Sequence, residues 1–164
     1  MNEIVAAKQG LRQEIIAKRK LKITAGFTEN LNKLVEALKP RRVAIYVSFG
    51  TEPSTLEFIE ACQIPVLVPI THEENLSWEQ VNTKTPTELT SGDLLLIPAL
   101  AIDKKGNRLG RGKGYFDREL KSLPKTIKVY AICYETEFLD ELPTEDHDHP
   151  VDGLITEVAI RNLN

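Results

Sequence analysis

Cysteine is scarce in this chain. Cys62 and Cys133 are too few for a disulfide framework and too far apart for a zinc-type spacing. A reducing compartment fits, and the apolar neighbours of each thiol point to core packing. Long apolar runs are missing as well: none approaches the ~18 residues that a membrane-spanning helix needs. The first twenty residues, MNEIVAAKQGLRQEIIAKRK, carry acids and no apolar signal core, so export is not expected and a cytoplasmic location is. Nor is there an excess of positive charge. The net charge of −3 argues against general, charge-driven nucleic-acid binding. No internal repeat, low-complexity tract or linker divides the 164 residues, which suits one domain with a core of its own, expected as a monomer.

What is present alternates between two periodicities. Residues 3–22 read as an amphipathic helix with Ile4, Val5, Leu11, Ile15 and Ile16 near one face. A second helix is expected over 27–38, stopping before Pro40. "RRVAIYVS" (41–48) suits a buried strand, "STLEFIEAC" (54–62) a helix, and "IPVLVPI" (64–70) a strand again. "LSWEQV" (76–81) alternates in period two, as an edge strand or hairpin does. "DLLLIPAL" (93–100) is the clearest strand and runs directly into a glycine-rich loop, 101–114. A helix over 115–123 and strands over 128–133 and 152–158 complete the chain. The β-α-β alternation predicts a single three-layer α/β/α domain, 1–164, with a mostly parallel, Rossmann-like sheet.

The glycine segment, "NRLGRGKGYFDREL" (107–120), concentrates the unusual chemistry. Gly110, Gly112 and Gly114 can adopt positive φ and leave backbone N–H groups open. Such groups can form an anion-binding nest, and the helix N-terminus that follows adds partial positive charge. Lys104, Lys105, Arg108, Arg111 and Lys113 surround the glycines with no acid between them. A polyphosphate suits this arrangement, although the spacings match neither a Walker A loop nor a dinucleotide fingerprint. Spacing alone also allows a solvated basic turn. Asp117, in the first helical turn, is either a dipole partner or a magnesium ligand beside bound phosphates.

Taken together, "DLLLIPALAIDKKGNRLGRGKGYFDREL" (93–120) resembles the signature segment of the 5-formyltetrahydrofolate cyclo-ligase family. Asp103, Gly106, Arg108, Leu109, Gly110, Gly112, Gly114, Tyr115 and Asp117 fall on its pattern. "KQGLR" (8–12) is similar to the family's N-terminal K-x-x-L-R element, "YVSFGTEPST" (46–55) to its folate-holding segment, and "LPTEDHDHPVDGLITE" (142–157) to its C-terminal block. The chain departs from the pattern at Ile102 and Phe116, and in 71–92, where an expected Glu-Pro pair is missing.

The resemblance implies an enzyme that converts 5-formyltetrahydrofolate and ATP, with Mg2+, into 5,10-methenyltetrahydrofolate, ADP and phosphate. It implies ATP binding by Lys8, Gln9, Gly10, Leu11 and Arg12 and by the run Arg108, Leu109, Gly110, Arg111, Gly112, Lys113, Gly114, Tyr115 and Phe116. Arg108, Arg111 and Lys113 would act on the triphosphate, with the choice between Arg111 and Lys113 for the transferring phosphoryl open. Val47, Glu52 and Tyr115 would hold folate, and Asp117 and Asp148 magnesium. As residues alone, Lys8 and Arg12 also read as a basic helix face, and Phe116 as core. His147 and His149 lack an evident third zinc ligand. Trp78 reads as packing or pocket wall. Two rivals stand beside this reading. One is a sugar-phosphate isomerase relative using Glu52 and Asp103 as acid and base; the other is a non-catalytic nucleotide or folate binder.

Overall fold

A computed structural model describes residues 2–19 and 25–163. Helix α1 (Glu3–Lys18) starts where Asn2 Oδ1 accepts the Ile4 N–H at 2.9 Å, an N-cap that satisfies one orphan donor. Residues 20–22 of the helix expected from periodicity lie outside the described residues. Ile16, expected on the apolar face, is exposed, while Ile15 is buried. Helix α2 (Phe27–Leu38) buries Phe27, Leu31 and Leu34 and ends at Lys39 in the left-handed region, one residue before Pro40.

Strands β1 (Arg42–Ile45), β2 (Val66–Thr71), β3 (Leu76–Gln80), β4 (Asp93–Pro98), β7 (Lys128–Ile132), β9 (Gly153–Ile155) and β10 (Ile160–Asn162) form one sheet in the order β10-β9-β7-β4-β1-β2-β3. The five inner strands are parallel, and β3 and β10 are antiparallel edges. The inner strands read as apolar runs because both faces are covered. Helix α2 and the short α3 (Leu56–Ala61) pack over Val43, Ile45, Leu94, Leu96 and Ile132. Helix α4 (Tyr115–Ser122) places Leu120 against Ala44, Leu95, Ile97 and Ala131 on the other face. The expected three layers are thus present. Cys133 is buried in the second cluster, where burial first, and then nearby carboxylates, push its thiol well above the ordinary range. Among the described residues no helix is long and apolar enough to cross a membrane.

Two segments differ from the sequence expectation. The stretch 101–114 is not one loop, because β5 (Ala101–Asp103) and β6 (Arg108–Leu109) pair as a hairpin. The buried Asp103 carboxylate builds its turn, accepting from Lys105 N, Asn107 N and Asn107 Nδ2, each at 2.9 Å, and from Leu142 N at 3.0 Å. A second small sheet forms as β8 (Phe138–Leu139) joins β5 in parallel. Similarly, 152–158 is not a single final strand. After β9 the Thr156 hydroxyl accepts from Val158 N and Ala159 N, both at 3.1 Å, and turns the chain back into β10.

Candidate active site

From β1 the chain moves outward to β2 and β3, then returns to β4 on the opposite side of β1 and continues to β7 and β9. That reversal opens a crevice beyond the carboxyl ends of β1 and β4, the place where open α/β sheets take ligands. A cavity of about 330 Å³ lies there. One wall comes from Tyr46, Val47, Phe49 and Glu52 after β1, with Pro69, Thr71 and Leu76 of the β2–β3 hairpin. The other comes from Pro98–Leu100, Arg108 and residues 110–117.

Short-range hydrogen bonds build the first wall. Thr55 Oγ1 donates to Tyr46 O at 2.8 Å and accepts from Ser48 N at 3.1 Å, while Thr55 N donates to Ser48 Oγ at 3.1 Å. The loop is thereby folded back so that Glu52 lines the cavity although it is only 4% exposed. Its Oε1 accepts from Phe49 N at 3.1 Å, and its Oε2 lies 3.8 Å from Arg111 Nε of the opposite wall. Burial first, and the Glu52 charge second, push the Tyr46 phenol well above its ordinary range.

The second wall is a glycine loop packed on three guanidinium groups. A Cβ on Gly110 would stand 2.9 Å from Arg108 Nη1, one on Gly112 3.5 Å from Arg12 Cζ, and one on Gly114 2.7 Å from Arg118 Nη1. Gly112 and Gly114 also take φ of +101° and +75°, which side chains disfavour. Arg12 Nε donates to Gly110 O at 2.8 Å, so α1 supports the loop directly. Arg108 is enclosed: Nη1 donates to Pro98 O at 2.7 Å and Nη2 to Asp117 Oδ1 at 3.2 Å, with the side chain 5% exposed. Its buried Nε has no hydrogen-bond partner among the described residues. Burial lowers its pKa, and Asp117 and Asp148 oppose that shift. Arg111 lies over the Phe49 ring at 5.5 Å, and Lys113 is exposed.

The remaining expected residues are placed unevenly. Tyr115 and Phe116 line the cavity with Asp117, and Phe116 also packs into both main clusters of the core. Leu109 is buried behind the loop, and Leu11 packs against the same small cluster. Gln9 and Gly10 are exposed on α1 and do not line the cavity. Lys8 is buried and paired with Glu145 and Asp148 at 2.9 and 2.7 Å. Lys104 and Lys105 lie outside the cavity, facing Asp140 and Glu141. Arg19 was not expected. It lines the cavity from the end of α1, holding Glu137 through Nε and Nη2 at 2.7 Å and Ala99 O at 2.8 Å. No local signal marked it, since its carboxylate partner is 118 positions away.

Asp117 and Asp148 offer carboxylate oxygens, the donors a hard divalent cation prefers, and Arg108 feels the charge of both. His147 stands 3.9 Å from Glu145 and from Asp148, but Lys8 already binds both carboxylates. An acid–base pair of Glu52 and Asp103 is not formed, because Asp103 lies outside the cavity with its oxygens occupied by four donors.

Comparison with known proteins agrees with this architecture. The chain is 29% identical to the 5-formyltetrahydrofolate cyclo-ligase of Mycolicibacterium smegmatis, over 92% of this chain and 93% of that one. It is 29% identical to the Mus musculus protein of the same name, over 93% and 94% of the two chains. Its structure superposes on the NMR structure of Aquifex aeolicus 5,10-methenyltetrahydrofolate synthetase with a TM-score of 0.76 at 25% identity, covering 95% of this chain and 92% of that one. The Mycoplasma pneumoniae 5,10-methenyltetrahydrofolate synthetase gives the same TM-score and identity, covering 92% and 98%. The sequence model of the 5-formyltetrahydrofolate cyclo-ligase family matches residues 4–157, and the chain belongs to that family.

Proposed function

We propose that this chain converts 5-formyltetrahydrofolate to 5,10-methenyltetrahydrofolate using ATP and magnesium. The observation that carries the reading is the pairing of walls across one cavity. Glu52 stands on one side and a cationic glycine loop on the other, with 3.8 Å between Glu52 Oε2 and Arg111 Nε. A carboxylate suited to accept from the amide and amino groups of a pterin therefore stands in ion-pair contact with the cationic loop, so that folate held by one wall and phosphates held by the other would meet in the same cavity.

The chemistry requires that arrangement. A formamide oxygen is a poor leaving group, so ring closure needs it converted to a phosphate ester. The formyl oxygen attacks the γ-phosphorus and ADP departs, leaving a phosphorylated iminium. N10 adds to the activated carbon and loses its proton, and phosphate leaves with the former formyl oxygen. The substrate is its own nucleophile, so the protein contributes positioning and charge neutralisation.

Arg111 and Lys113 take the triphosphate, together with the N–H groups of 110–114. Arg12 and Arg108 hold the loop from behind, and Lys8 turns from its carboxylates to phosphate oxygen. Val47 and Tyr115 flank the folate beside Glu52. Asp117 and Asp148 hold the magnesium ion, which neutralises phosphate charge when bound. Both walls come from one chain, and we propose that it acts as a monomer.

The test is the near-ultraviolet absorbance of 5-formyltetrahydrofolate mixed with protein, ATP and magnesium. The product has a conjugated amidinium chromophore that the substrate lacks. A rising band dependent on both ATP and magnesium is expected. A flat trace from folded protein that still binds ATP would remove the folate chemistry and leave a nucleotide binder.

A further inference from the structure

The β2–β3 turn occupies the segment where the sequence departs most from the family pattern. Strand β2 ends at Thr71, on the same side of the sheet as the carboxyl ends of β1 and β4, so the turn 72–75 stands at the rim of the cavity. The hairpin supplies Pro69, Thr71 and Leu76 to the folate side of the wall. Within itself the turn is closed by His72 N donating to Asn75 O and by His72 Nε2 against Ser77 Oγ, both at 2.8 Å.

From outside, three successive carbonyls of the turn are gripped by the first turn of α4. The Tyr115 hydroxyl reaches His72 O at 3.1 Å and Glu73 O at 3.4 Å, and Arg118 Nε donates to Glu74 O at 2.6 Å. A further bond, Trp78 Nε1 to Glu119 Oε1 at 2.8 Å, joins β3 to the same helix. Arg118 does more than reach the turn. Its guanidinium lies 5.3 Å from the centre of the Tyr115 ring, and Nη1 fills the space behind Gly114, 2.7 Å from where a Cβ would be. One side chain thus touches the last glycine of the phosphate loop, a cavity tyrosine and the turn of the folate wall. Arg118 itself does not line the cavity.

We propose that Arg118 is a positioning residue that fixes the folate wall to the phosphate loop, so that nucleotide in the loop tightens folate binding. The inference rests on the cyclo-ligase reading of the two walls. The guanidinium that lies behind Gly114 is the one that holds the turn, so a movement of Gly114 against it under a bound phosphate is passed to Glu74 O. By linkage, folate tightens nucleotide binding by the same factor.

The experiment measures the Kd of 5-formyltetrahydrofolate by titration calorimetry, with and without magnesium and the β,γ-imido analogue of ATP. For the wild type the analogue should lower that Kd about fivefold or more, the lower end of ordinary coupling between sites. In Arg118→Ala the ratio should collapse towards one, while the analogue's own Kd without folate and the thermal midpoint stay near wild type. Arg118→Lys should restore part of the ratio, because an ammonium can reach Glu74 O but cannot also lie across Tyr115 and behind Gly114. A full ratio in Arg118→Ala overturns the inference. So does a wild type that binds both ligands independently, and in either case the enzyme reading stands. A wild type that binds neither ligand removes the enzyme reading and this inference with it.

Discussion

Lys8 Nζ lies 2.7 Å from Asp148 Oδ2, joining the first helix to the C-terminal block across 140 positions of sequence. Both groups are shifted by the pairing. Burial pulls the Lys8 pKa down, but hydrogen bonds and charge from Asp148 and Glu145 leave it raised. Burial pulls Asp148 up, and Lys8 together with the Glu145 N–H leaves it lowered. A raised lysine contributes stability that is complete below its ordinary pKa of about 10.4 and lost as pH rises through the folded value. A lowered aspartate contributes stability that is complete above about 3.9 and lost as pH falls through the folded value. The contribution of this pair should therefore be level between these limits and fall outside them. The alkaline fall of the whole protein begins lower, near the ordinary thiol pKa of about 8.5, because Cys133 stays protonated in the fold when its unfolded counterpart ionises. Lys8→Met should lower the plateau by about 1 kcal/mol, since it takes the ammonium from two half-buried carboxylates of which Asp148 keeps the Glu145 N–H, and should move the acid edge upward. Thermal melts across pH check both effects.

Asp117→Asn keeps the shape of the side chain that accepts from Arg108 Nη2 at 3.2 Å but removes its charge. Turnover should fall by about 10- to 100-fold or more, the range for disturbing a metal site, while folate binding stays near wild type. Steady-state kinetics beside folate titration separate the two. Normal turnover in this variant would remove the magnesium role of Asp117.

Glu52→Gln keeps an acceptor for Phe49 N but loses the charge beside Arg111 and one acceptor face for a pterin. The KM for folate should rise about tenfold, equivalent to about 1.4 kcal/mol, with the KM for ATP little changed. An equal rise in both constants would place Glu52 in the support of the loop.

Gly110→Ala puts a methyl against a guanidinium that cannot retreat, because Arg108 is 5% exposed and bound to Pro98 O and Asp117. Overpacking of this kind costs about 1–3 kcal/mol. Its effect should be local, appearing as a raised KM for ATP with a small loss in thermal midpoint. Pairing it with Arg108→Lys should recover part of the ATP affinity, and the double variant's kinetics test that.

Much of this site was legible because its signals are local. The spacing of Gly110, Gly112 and Gly114 marks a backbone that must turn, and the apolar run before it marks a buried strand that delivers it. Trp78 sits at the buried position of an alternating edge strand, as period two implies. What stayed hidden depends on distant partners. The β5–β6 turn is closed locally, by Lys105 and Asn107 on Asp103, but its tie to Leu142 N, 39 positions on, and the pairing of β5 with β8 have no local mark. The orientation of cations is equally non-local: nothing in "RLGRGK" says that Arg108 turns under the loop while Arg111 and Lys113 stay outside. Ile16 has the character of a core residue, but the adjacent Ile15, about 100° around the helix, takes the contact.

Each loop glycine is backed by an arginine from a different element, Arg108 from β6, Arg12 from α1 and Arg118 from α4. An inhibitor that bound the loop through its main-chain N–H groups would meet a target with few routes of escape. At Gly112 and Gly114 a bulkier residue would be strained by the positive φ, and at Gly110 it would need a second, compensating change in the enclosed Arg108. Two simultaneous substitutions arise far less often than one, and the loop is a constrained target for that reason.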